Sequence, residues 1–116
     1  MKKLVMILFA VISISAFAAD TTVKGYLVDL QCATEEKHNP SFAATHKKGC
    51  LEMDDCAASG YGVMTAGKKV VKFDKGGNEQ AKKFIADLKK VRDIRVNVTG
   101  TVKGDTMTVS KIELQP

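Results

Sequence analysis

The sequence predicts a mainly β fold with one helix, a five-stranded barrel carrying a Cys/His-rich insertion between strands 1 and 2. Three observations predict it. Short runs alternate apolar and polar residues, as where Ile94, Val96 and Val98 interleave with Arg95, Asn97 and Thr99, the period of a half-buried strand. One stretch has a clear helical period: Ala81, Phe84, Ile85, Leu88 and Val91 recur at three- and four-residue steps and so share one face. All three cysteines and both histidines fall within the 25 residues from Cys32 to Cys56.

The chain begins Met1-Lys2-Lys3, followed by an apolar run to about Ala16 and a small-x-small site at Ala16-Phe17-Ala18. This is the pattern of a bacterial secretory leader. The run is shorter than the roughly 20 apolar residues a spanning helix needs, so no transmembrane anchor is expected. Residues 1–18 are read as the signal peptide and residues 19–116 as one domain, starting at Ala19 or Asp20, in the periplasm or secreted. The chain carries 18 basic and 13 acidic residues, a net charge of +5, and the leader holds two of the lysines. The remainder is mildly basic, with its lysines in scattered doublets, which argues against a nucleic-acid partner.

Val23 to Leu30 reads as the first strand, apolar on both faces, with Gly25 marking a bend or bulge. It runs straight into Cys32. The insertion, residues 31–59, has weak local signals. Asn39-Pro40 can start a short helix that runs through Phe42 and stops at Gly49. A second helical turn fits Cys50 to Ala58, closed by Ser59-Gly60. Tyr61 to Thr65 and Lys69 to Phe73 are strands 2 and 3, joined by the turn residues Ala66-Gly67-Lys68. A helix is expected over roughly 78–92. Strand 4 begins at Ile94, and Gly104-Asp105 is hairpin chemistry. In strand 5, Met107 and Val109 are out of phase with Ile112 and Leu114, which predicts a bulge near Ser110-Lys111.

Five strands with a helix between the third and fourth follow the order of the OB-fold, a small Greek-key barrel. The ending from Asp93 to Ile112 resembles the last hairpin of small secreted bacterial OB-fold-like proteins. The opening Gly25-Tyr26-Leu27-Val28-Asp29-Leu30-Gln31-Cys32, a following His, then Cys50, Cys56 and Ser59-Gly60-Tyr61-Gly62, resembles an exported family whose function is largely unassigned. The resemblance spans nearly all of residues 19–116. It implies the fold and the Cys/His insertion and implies no activity.

The candidate ligands are Cys32, His38, His46, Cys50 and Cys56. Thiolate and imidazole together suit zinc or copper(I). Three cysteines are an odd number for an oxidising compartment. One bridge plus a spare thiol, an intermolecular bridge, or thiolates held by a metal all satisfy it. A Cys32–Cys50 or Cys32–Cys56 bridge would tie the end of the first strand to the lead-in of the second. Glu35, Glu36, Asp54 and Asp55 read as solvated loop charge, and Met53 beside Leu51 as packing.

No Cys-x-x-Cys, haem-attachment, serine-hydrolase or phosphate-loop pattern is present. The expected function is therefore an exported, non-enzymatic binding module for a soft transition metal, zinc or copper. The first alternative is a disulfide-stapled OB-like domain that binds an envelope protein, a peptide or a glycan. The second is an exported thiol or redox protein. Whichever holds, Cys32, Cys50 and Cys56 should converge, because the strands on either side of the insertion are expected to be neighbours.

Overall fold

A computed structural model describes residues 20–116. The expected leader and its cleavage site lie outside the described residues. Among the described residues, the strands are β1 (Thr21–Asp29), β2 (Tyr61–Met64), β3 (Val70–Phe73), β4 (Arg95–Lys103) and β5 (Thr106–Leu114). They close a barrel in the order β1-β2-β3-β5-β4. β1 serves two neighbours: Thr21–Tyr26 pairs with β4, and Tyr26–Asp29 pairs with β2. Gly25 sits at that handover. A Cβ there would stand 2.2 Å from the Met64 carbonyl oxygen, so only glycine lets the two strands approach. A short parallel pairing of β3 with β5 completes the ring.

The expected bulge is present. Thr99 pairs with Lys111 and Gly100 with Val109, which leaves Ser110 as the extra residue in β5. The β2–β3 turn is a three-residue loop. Thr65 N–H donates to the Lys69 carbonyl and Lys68 N–H to the Thr65 carbonyl, both at 2.9 Å. Lys68 takes the left-handed position of that loop, at φ 60°, where glycine is the preferred residue and a side chain costs about 1–2 kcal/mol.

The expectation of a single helix is corrected. Four short helices fill the insertion: α1 (Leu30–Glu35), α2 (Phe42–Thr45), α3 (Lys48–Leu51) and α4 (Asp54–Ser59). At four to six residues each, none is long enough to show a helical period. The expected helix at 78–92 is α5, Lys75–Ala86. It starts earlier because Asp74 caps it, accepting from Gly77 N–H at 2.8 Å. It ends earlier, at Ala86, where Asp87 caps it with its N–H on the Lys83 carbonyl at 3.2 Å. Ala81, Ile85 and Leu88 are buried as expected, whereas Val91 is 57% exposed.

One face of α5 packs on the barrel core with Leu27, Tyr61, Phe73, Val96 and Met107, and Leu51 of the insertion joins that core. A second, smaller cluster of Val28, Ala33 and Phe42 lies on the other face of β1, under the insertion. The insertion is also tied to the segment after α5. Lys48 N–H donates to the Val91 carbonyl at 2.7 Å, Lys48 Nζ to the Leu88 carbonyl at 2.6 Å, and Asp93 N–H to the Ala44 carbonyl at 3.1 Å. Among the described residues, no helix is long and apolar enough to cross a membrane.

Candidate metal centre

The site forms where β1 gives way to α1. Asp29 is the last residue of β1 and the N-cap of α1. Its Oδ2 accepts from Cys32 N–H at 2.8 Å, which places the Cys32 thiol in the first helical turn. Leu30 N–H donates to the Gly60 carbonyl at 2.9 Å, so the chain leaving β1 is fastened to the chain entering β2. α4 packs on α1 and presents Cys56. The two sulfurs lie 3.8 Å apart, unbonded. Asp29, Cys32 and Cys56 offer three ligand atoms within 4.8 Å of one another.

His46 stands on the far side of Asp29. Its Nε2 meets Asp29 Oδ1 at 2.6 Å, and its ring packs on Phe42 with centroids 4.6 Å apart. Asp29 is completely buried and His46 nearly so. The carboxylate is therefore held between the imidazole and the helix-starting amide, as burial requires. An open cleft of about 380 Å³ reaches this group from outside, lined by Cys32, Glu35, Phe42, His46, Lys47 and Cys50.

Of the five expected ligands, Cys32 and Cys56 come together. Cys50 is half-buried and lines the cleft, but its sulfur is not part of the close group. The expected convergence of three cysteines is therefore corrected to that of two: Cys50 sits on α3, ahead of the α4 turn that carries Cys56 onto α1. His46 is committed to Asp29, and His38 is exposed in the turn after α1, outside the group. Asp29 was not among the expected ligands. Its signal is a lone carboxylate closing an apolar strand three residues before a cysteine, which is N-cap spacing.

The electrostatics follow from this packing. Burial alone would raise the Asp29 carboxyl. The hydrogen bonds from His46 and Cys32 and the charge of His46 outweigh burial and hold it below the usual range. Burial, the Asp29 charge and the neighbouring Cys56 push the Cys32 thiol well above the ordinary thiol range. Cys56 is raised as well, by burial first and by Asp29 and Cys50, against a lowering hydrogen bond from Cys32. A nucleophilic cysteine needs the opposite, a lowered pKa beside positive charge. Two thiols held protonated beside a buried carboxylate form a cluster of three potential ligand atoms that could hold a metal ion.

The sulfur spacing fits such a cation. Two thiolates about 2.3 Å from a tetrahedral metal lie about 3.8 Å from each other, which is the separation found. Comparison with known proteins finds no matching family model, no matching curated protein and no matching solved structure.

Proposed function

We propose that the chain is an exported, non-enzymatic module of OB-like fold that binds one soft transition metal, zinc or copper(I). The observation that carries it is the 3.8 Å pair of Cys32 and Cys56 beside buried Asp29. The two thiolates are the primary ligands, and Cys50, whose sulfur lies outside the close group, stands on the cleft wall as a further donor. Asp29 offsets the ion's charge and fixes Cys32 through its amide. His46 orients that carboxylate, the outer-shell role that carboxylate–histidine pairs play around metals. His38 takes no part.

The test is metal titration of fully reduced protein, read by native mass and by competition with a chromophoric chelator. Binding should be one equivalent, should release protons, and should vanish in Cys32→Ser/Cys56→Ser. Cys50→Ser should weaken it and His38→Ala leave it unchanged. Reduced protein that takes up neither zinc nor copper sinks the proposal.

The same pair supports a second reading, a Cys32–Cys56 disulfide stapling the insertion to the barrel rim. It would add about 2–4 kcal/mol and would free the module to serve an envelope protein, peptide or glycan. Thiol counting on protein isolated without reductant separates the readings: one free thiol for the bridge, three for the metal.

A further inference from the structure

A second cavity, of about 220 Å³, lies between the insertion and the outer face of the barrel. It shares no lining with the three cysteines. Tyr26 of β1, Met64 of β2 and Val70 of β3 line it from the barrel, and Ala43 lines it from the insertion. All four are half-buried apolar side chains packed against the Val28, Ala33 and Phe42 cluster.

Size limits the occupant. An apolar cavity of about 150 Å³ takes up benzene, and drug-sized ligands need about 300 Å³ or more. This cavity therefore suits one ring with a short polar substituent.

Charge limits it further. Lys37 from the insertion and Lys68 from the β2–β3 turn both line the cavity. Among the described residues, neither ammonium has a carboxylate partner. The one acidic lining residue is Glu36, whose Oε2 is turned to Asn39 Nδ2 at 3.3 Å; it keeps its charge, so the two lysines leave the lining with one net positive charge. Lys68 occupies the left-handed turn position at φ 60°, where glycine would relieve strain.

The geometry points to this cavity as a binding site for a small aryl carboxylate. The ring lies among Tyr26, Met64 and Val70, and the carboxylate meets Lys37 and Lys68. The inference is independent of the metal site, because no cysteine takes part.

The test uses phenylacetate as probe and phenylacetamide as its uncharged counterpart, titrated into the full-length mature protein by two-dimensional NMR. Phenylacetate should give saturable shifts centred on Tyr26, Met64 and Val70. Phenylacetamide should bind roughly tenfold more weakly, the size two exposed ion pairs reach together. Lys37→Ala/Lys68→Gly should lose the same roughly tenfold for phenylacetate and nothing for phenylacetamide. The single variant Lys68→Gly should melt at or above the parent temperature, so weaker binding cannot be laid to misfolding. No saturable shift, shifts centred on the cysteine cleft, or equal affinity for the charged and uncharged probes would overturn the inference.

Discussion

Replacing Asp29 is the sharpest perturbation of the site. The carboxylate is fully buried, accepts from Cys32 N–H at 2.8 Å and contacts His46 Nε2 at 2.6 Å. Asp29→Ala breaks a buried pair from one side, which costs about 3–5 kcal/mol, and removes a helix N-cap worth about 1 kcal/mol. The two overlap, so about 4 kcal/mol is expected in total, against the roughly 5–15 kcal/mol that holds a domain together. At about 4–8 °C per kcal/mol, the melting temperature should drop by about 20 °C. Asp29→Asn keeps an acceptor for Cys32 N–H and loses only the charge, so it should cost about 2 kcal/mol.

Far-UV circular dichroism during urea and thermal unfolding, in reductant at pH 7, measures both variants. The pH dependence adds a second check. A carboxyl whose folded pKa is lowered contributes stability that is fully present above its unfolded value, about 3.9. That contribution is lost as pH falls through the lower folded value. The gap between parent and Asp29→Asn should therefore stand open at pH 5 and close in more acid solution. An Asp29→Ala protein melting within about 5 °C of the parent, or a gap that widens in acid, refutes this account of the site.

Three further outcomes follow. Cys32 and Cys56 have raised pKa values, so their contribution is whole below the unfolded thiol value of about 8.5 and is lost as pH rises toward the folded values. Stability of reduced protein should thus decline above that pH, and Cys32→Ser/Cys56→Ser should flatten the decline. Tyr61→Phe removes the hydroxyl that donates to the Leu51 carbonyl at 2.7 Å and leaves that buried oxygen unpaired, a loss of about 1–2 kcal/mol in urea unfolding. Gly100→Ala would put a Cβ 2.0 Å from the Thr108 carbonyl oxygen; relieving that overlap at the β4–β5 bulge should cost about 1–3 kcal/mol, and an unchanged denaturation midpoint would contradict the pairing described.

The barrel was legible because its signals are local and repeated. Alternation in β4, the phase slip at Ser110 and the Gly104 turn each report on one hairpin, and the structure holds all three. Convergence of Cys32 with Cys56 was legible from topology, since β1 and β2 are paired neighbours. The α5 boundaries were not. Gly76 and Gly77 look like helix breakers, yet Asp74 caps the helix ahead of them. Gly77 is there because a Cβ would stand 2.6 Å from Val109 Cγ2, a tertiary reason that no local pattern carries. Asp29 was hidden for a related reason. A single carboxylate in an apolar strand reads as a strand end, and only the fold brings His46, 17 residues away, to its side.

The division of β1 between two partners also fixes an order of events. Its first half, Thr21–Tyr26, has its antiparallel partner in Arg95–Gly100. The N-terminal strand therefore cannot finish pairing until nearly the whole chain is available. Contacts so distant in sequence make closure slow relative to local helix formation. Until β4 arrives, a nascent chain leaves half of β1 as an open edge, able to pair with another copy. The same open edge makes crowding before closure the main hazard to this fold.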